Sequence, residues 1–231
     1  MIPWKFLGRA PVPGKGPDLL LYSRGEEFSI RISSIELMNS RVYSREDELS
    51  KLGCARIQGR KKARVLIGGL GMGFSLVTAL DNLGPDAEVV MAELVPGVVQ
   101  WNREVFGHLA GHPLRDRRTT LREADVATVL RESPNAYDAI LLDVDNGAEG
   151  LTRRSNDWLY SDRGIAAARD ALRPAGVLGY WSAGPDRDFV RRLHRASLLV
   201  EEVHVGAQGR GRGARTVLWF AKRYGNGNGN G

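Results

Sequence analysis

From residue 63 onward the chain repeats one pattern: a short apolar run, a turn, then a stretch with helical spacing. The pairs are 65–67 with 74–83, 88–92 with 95–109, 119–121 with 126–131, 139–142 with 164–172, and 177–181 with 188–196. A run such as Ala139-Ile140-Leu141-Leu142 has no polar alternation, so both of its faces need cover. Helices on both sides of a parallel sheet provide that cover. Repeated strand–helix units joined by right-handed crossovers make a doubly wound sheet. After the fifth unit the pattern breaks. Residues 199–205 and 216–221 are strand-like with no helix between them, which makes a terminal hairpin and forces one strand antiparallel. The pattern predicts an α/β fold: a Rossmann-like, doubly wound, seven-stranded sheet ending in an antiparallel hairpin.

The first third of the chain reads differently. Alternating stretches at 19–22, 28–32 and 35–38, separated by Arg24-Gly25-Glu26-Glu27 and Ser33-Ser34, predict a small antiparallel β-meander. Pro11, Pro13, Gly14, Gly16 and Pro17 mark an extended arm before it, and 46–57 has the spacing of a short helix. The expected units are residues 1–60, residues 61–224, and a Gly/Asn tail at 225–231 whose low complexity predicts disorder.

Composition narrows the functional classes. With 42% hydrophobic and 26% charged residues, the 231-residue chain suits a globular protein with one substantial core. No apolar run is long enough to span a bilayer, and Met1-Ile2-Pro3-Trp4-Lys5 lacks the apolar segment of a signal peptide. Cys54 is the single cysteine, which excludes an intramolecular disulfide and a cysteine-rich metal site. A cytoplasmic location is the expectation. The net charge of +6 comes from arginines scattered along the whole chain, the pattern of a solvated surface rather than of a nucleic-acid stripe. The Gly209-Arg210-Gly211-Arg212-Gly213 segment is read as a loop inside the terminal hairpin, with no specific nucleic-acid partner.

The chemistry-bearing residues fall at the ends of the predicted strands. The first strand runs into Gly68-Gly69-Leu70-Gly71-Met72-Gly73 and then a helix. Glycines there let the backbone turn sharply and approach a ligand closely, so Gly69, Gly71 and Gly73 are candidates to seat an adenosyl group. Glu93 closes the second strand, 24 residues after Gly69, where an acid of this fold accepts the ribose hydroxyls. Asp125, after the third strand, has two readings: acceptor for the adenine amino group, or cap of the helix beginning at Val126. Asp143 and Asp145, after the fourth strand, face the reacting centre of an open parallel sheet. Two carboxylates there call for a cation, such as a sulfonium or an amine. Tyr160 and Trp181 are candidate pocket walls, a role that ordinary packing explains equally well. His108 and His112 are four residues apart, but Gly111 and Pro113 interrupt the helix and no third ligand is evident, so no metal is expected.

These residues resemble the spermidine synthase family of polyamine aminopropyltransferases over most of the chain, from about Leu20 to Ala221. The β-meander matches that family's N-terminal domain, and Val65-Leu66-Ile67-Gly68-Gly69 its first strand and loop. Glu93 falls on its ribose-binding acid, Asp125 on its adenine-binding acid and Asp143 on its catalytic aspartate. Leu159-Tyr160-Ser161 and the stretch 171–178 match its later helix and fifth strand. The departures lie at the acceptor end. Gly71 stands where the family has an aspartate, Glu48-Leu49-Ser50 replaces its Tyr-His-Glu signature, and Asp145 and Asn146 stand where it has Asp-Pro. The resemblance implies a homodimer built through the meander. It also implies a transferase using S-adenosylmethionine or its decarboxylated form, with Asp143 as base or amine anchor, Asp145 assisting, and a small-molecule amine as acceptor. Aminopropyl transfer follows from the overall likeness, whereas Gly71 and Glu48 leave methyl transfer open. A nucleoside-binding protein without catalysis is the remaining alternative.

Overall fold

The computed structural model describes residues 2–14, 16–41, 44–144, 156–182, 184–205 and 216–224. Asp145, Asn146, the glycine–arginine segment and the Gly/Asn tail lie outside them.

Four strands open the chain: β1 (Lys5–Ala10), β2 (Leu19–Arg24), β3 (Glu27–Ile32) and β4 (Ile35–Asn39), paired antiparallel in that order. The predicted meander is β2 to β4; β1 is an addition. Its side chains are mostly exposed, Phe6 and Leu7 among them, and only Ala10 is buried. A strand held by backbone pairing to β2, with a bulge between Phe6 and Gly8, leaves little apolar alternation to read. Helix α1 (Ser44–Ala55) follows and leads into the second sheet.

That sheet is built from β5 (Arg64–Gly68), α2 (Phe74–Asp81), β6 (Glu88–Glu93), α3 (Pro96–Glu104), β7 (Thr119–Glu123), α4 (Val126–Glu132), β8 (Tyr137–Leu142), α5 (Asn156–Leu159), α6 (Asp162–Ala171), β9 (Leu172–Ser182), α7 (Arg187–Arg195), β10 (Leu198–Val205) and β11 (Thr216–Arg223). Its seven strands lie in the order β10-β11-β9-β8-β5-β6-β7. Strands β9, β8, β5, β6 and β7 are parallel, and β11 runs antiparallel to both β9 and β10. The doubly wound sheet with its terminal hairpin is as predicted.

Burial alternates along each central strand because both faces are covered. Val65, Ile67, Met91 and Leu141 pack with Leu49, Leu76 and residues of the first sheet, including Leu21 and Ile30. Leu66, Val90, Ile140 and Leu142 pack on the other side with Leu130, Ile165, Phe189 and Trp219. The stretch 95–109 forms α3 and then a separate 3-10 turn, Gly107–Ala110, rather than one helix.

At the amino end of β8, Asp138 is 3% exposed and binds three donors. Arg60 Nη1 donates to Oδ1 at 2.6 Å, while Arg173 Nη1 and the Arg64 amide each donate to Oδ2 at 2.8 Å. One carboxylate thus ties the segment after α1, the start of β5 and the start of β9 together. Asp138→Ala should destabilise the protein by about 2 kcal/mol, the scale of losing hydrogen bonds to a charged group. Urea unfolding measures this, and a loss below about 1 kcal/mol would show that the arginines find water instead.

Candidate functional site

Strand β5, the first strand of this sheet in the chain, lies between β6 on one side and β8 on the other. Successive strands leave β5 in opposite directions, which opens a crevice at the carboxyl ends of the strands. The glycine loop and Asp143 meet there. Gly69 N donates to Ala92 O at 2.9 Å, and Asp143 N donates to Gly68 O at 2.9 Å, so the loop is pinned to both neighbouring strands. Gly69 has φ +94°, and a Cβ on it would collide with the carbonyl oxygen of Asp143. Only glycine satisfies both demands.

Glu93 is 8% exposed and its carboxylate spans the same crevice. Oε2 accepts from Leu70 N at 2.9 Å and Oε1 from Val95 N at 2.8 Å. Burial raises its pKa, opposed by the backbone donors of Val95, Leu70 and Leu94. A carboxylate offers about four acceptor sites, so Glu93 keeps capacity for a ligand hydroxyl beyond its amide bonds. Asp125 caps α4, its Oδ1 accepting from Ala127 N at 2.9 Å, and it also lines the cleft. The two readings of that residue are compatible.

Asp143 accepts a hydrogen bond from Ser75 Oγ. Burial pushes its carboxyl up to about 6 against the Ser75 bond, and the nearby Asp47 raises it further. Such a group changes protonation close to neutral pH.

These residues line one cleft that opens at the carboxyl ends of the strands. Gly69, Gly71, Glu93, Asp125 and Asp143 all contribute, with Ala92, Val95 and Val126. Gly73 is set back from it: with φ +90° it is the N-cap of α2, packed near Asn102 and Pro113. The opposite wall is apolar and comes from the first sheet, through Leu19, Ile30, Leu37 and Met38. The sequence pattern places these residues in the meander and assigns them no role in a site. Another residue missed from the sequence is Asn102, whose Nδ2 donates to Gly71 O at 2.8 Å and holds the loop to α3. Nothing in its helical context signals that role.

Neither candidate wall residue lines this cleft. Tyr160 packs with Tyr180 and Phe189 on the far face of the sheet, ring centroids 5.1 Å from each. Trp181 lies on the near side, at the end of β9, packed against the same core as α1. No group of three or more His, Cys, Asp and Glu suited to a metal occurs among the described residues. No helix among them is long and apolar enough to cross a membrane.

The chain superposes over 95% of its length on 73% of the spermidine synthase from Thermotoga maritima, with a TM-score of 0.74 and 16% identity. A spermidine synthase in complex with the transition-state analogue AdoDATO gives 0.72 at 16% identity, over 95% of this chain and 72% of that one. The fold is that of the spermidine synthases. A probable spermidine synthase from Corynebacterium glutamicum matches at 0.66 and 15% identity, over 93% of this chain and 79% of that one. A precorrin-6y C5,15-methyltransferase from Geobacter metallireducens matches at 0.54 and 18%, over 76% of this chain and 89% of that one. No family model and no curated protein matches the sequence. The likeness therefore reaches the fold, including the sheet that precedes the glycine loop.

A pair of glycine variants tests the crevice. Gly25 also has a left-handed φ, +62°, but open space around its Cβ position. Gly25→Ala should cost about 1 kcal/mol, the strain of that backbone region. Gly69→Ala should cost about 3 kcal/mol, because steric overlap with the Asp143 carbonyl adds to the strain. Equal costs in thermal unfolding would show that the loop does not depend on close approach.

Proposed function

We propose that this chain is a transferase that moves a carbon substituent from an S-adenosyl sulfonium to an amine, with aminopropyl transfer from decarboxylated S-adenosylmethionine favoured. One observation carries the choice: each charged side chain among the described residues lining the cleft, Glu93, Asp125 and Asp143, is an acid. S-adenosylmethionine brings a carboxylate of its own, which would meet no cation there. The decarboxylated form brings only a sulfonium and an ammonium, and both are attracted by such a lining.

The roles follow from position. Glu93, already holding the loop, takes the ribose hydroxyls, and Asp125 the adenine edge. Asp143 binds the incoming ammonium and receives its proton, so that the nitrogen lone pair attacks the methylene carbon next to sulfur. The carbon–sulfur bond breaks with its electron pair passing to sulfur, which leaves as the neutral thioether of 5′-methylthioadenosine. The proton passes from Asp143 to water. Alignment in the crevice supplies the rest of the rate. Methyl transfer to a small molecule is the second reading. It is favoured by Gly71, which supplies no acid in the loop, and by the likeness to a methyltransferase.

The test is product formation with each sulfonium and a panel of amines. Asp143→Asn keeps the shape and an acceptor for Ser75 but removes the base, and should lower kcat about 100-fold. Because the Asp143 carboxyl stands at about 6, it is protonated and idle below that pH. The wild-type rate should therefore fall as pH drops through about 6, and the variant should lack that limb. A variant with near-wild-type turnover, or one that keeps the acid limb, would remove Asp143 from the mechanism.

A further inference from the structure

Behind Asp143 stands a second acid that the sequence motifs do not single out. Ser75 and Thr78 are three residues apart on α2 and share one face of it. Ser75 Oγ donates to Asp143 Oδ2, and Thr78 Oγ1 donates to Asp47 Oδ1 at 2.8 Å. Two hydroxyls on one helix face thus hold two carboxylates from different elements, the end of β8 and the first turn of α1. Burial raises the pKa of Asp47, opposed by the Thr78 bond and joined by the neighbouring Glu48, and no cation among the described residues acts on either acid. Bringing two acids together without a cation costs stability, so the pair calls for a positive charge that the described residues do not supply.

Two unanswered polar groups stand on the same side. Ser50 is 0% exposed, its Oγ has no hydrogen-bond partner among the described residues, and it lies one turn along α1 from Asp47, on the same face. The second is the buried Nε1 of Trp181, also without a partner among the described residues. Strands β8 and β9 are parallel with Leu141 beside Gly179 and Leu142 beside Tyr180. The next pair in that register is Asp143 and Trp181. Leu142 and Tyr180 belong to the far core, so alternation turns Asp143 and Trp181 to the near side, toward α1 and α2. Native structures leave few buried polar groups unpaired, and a group without a protein partner is one that water, an ion or a ligand can satisfy.

We propose that Asp47 is the second anchor for the acceptor: an amine enters as its ammonium form and is held between Asp47 and Asp143, beside Ser50 and Trp181. The inference rests on the amine-acceptor reading above and assigns its specificity. The glycine loop cannot provide this second charge. Gly71 carries no side chain, and a Cβ there would lie 3.2 Å from Met38 Sδ. The second carboxylate comes instead from α1, on the other side of Asp143. A cation between two carboxylates is strongly selected over a neutral alcohol of the same length.

Calorimetry separates this proposal from the reading beneath it. Binding of 5′-methylthioadenosine is measured first, then binding of 1,4-diaminobutane and n-butylamine to the nucleoside-loaded protein. Asp47→Asn retains an oxygen for Thr78 and so keeps the local fold, which thermal unfolding checks. It should weaken amine binding at least 10-fold and change nucleoside binding less than 2-fold, with Asp47→Glu recovering part of the loss. Should the Asn variant fail to fold, Thr78→Val, which frees Asp47 from its anchor, should weaken the amine about 3-fold or more. Unchanged amine affinity in these folded variants overturns the proposal, as does a wild-type protein that takes the nucleoside but neither amine. Failure of the wild-type protein to bind the nucleoside sinks the functional reading itself, and this inference with it.

Discussion

The contact on which the site depends is between two stretches of backbone. Gly69 lies against the carbonyl of Asp143, in a left-handed conformation that no other residue adopts cheaply, where the order of strands reverses around β5. That approach sets how far the loop rises above the sheet, and hence where Leu70 N meets Glu93 and where the Asp143 side chain starts. Asn102 holds the loop from α3, and Ser75 holds Asp143 from α2. The polar part of the cleft is therefore built on strand ends and helix starts, which are rigid. The first sheet supplies the apolar wall across from it.

Electrostatics gives that geometry its chemical direction. Glu93 is buried and Asp143 half-buried, and desolvation raises both carboxyls. Glu93 is compensated by backbone amides, so it is held in place as much by its structural bonds as by any ligand. Among the described residues Asp143 has the Ser75 hydroxyl and a neighbouring acid, a poorer arrangement that a cation would relieve. The difference separates a residue that builds the cleft from one positioned to exchange a proton.

Much of this was legible from residue types. Strand runs buried on both faces carry continuous apolar sequence, so β5, β6 and β8 announced themselves, and the absence of a helix between β10 and β11 gave away the hairpin. Glu93, Asp125 and Asp143 followed because they terminate such strands. Strand β1 was invisible because backbone pairing, not side-chain burial, recruits it. Asp47 was missed for a related reason: it lies on a helix far from any strand end, and only the packing of α1 on α2 brings it beside Asp143. The same packing logic separates Tyr160 from the cleft, since alternation along β9 sends Tyr180, its partner, to the far face. Register decides such questions, and a single sequence does not display it.

The central claim is that a lining of acids selects a cosubstrate with no carboxylate. Calorimetric titration of the wild-type protein with S-adenosylmethionine and with its decarboxylated form, under identical salt and pH, tests it most directly. Losing the carboxylate removes an unpaired anion from an acidic cleft, so the decarboxylated form should bind at least about 10-fold more tightly, the equivalent of roughly 1.4 kcal/mol. The advantage should shrink as salt screens the cleft's mouth. Equal affinity, or tighter binding of S-adenosylmethionine, would contradict the account and turn the assignment toward methyl transfer.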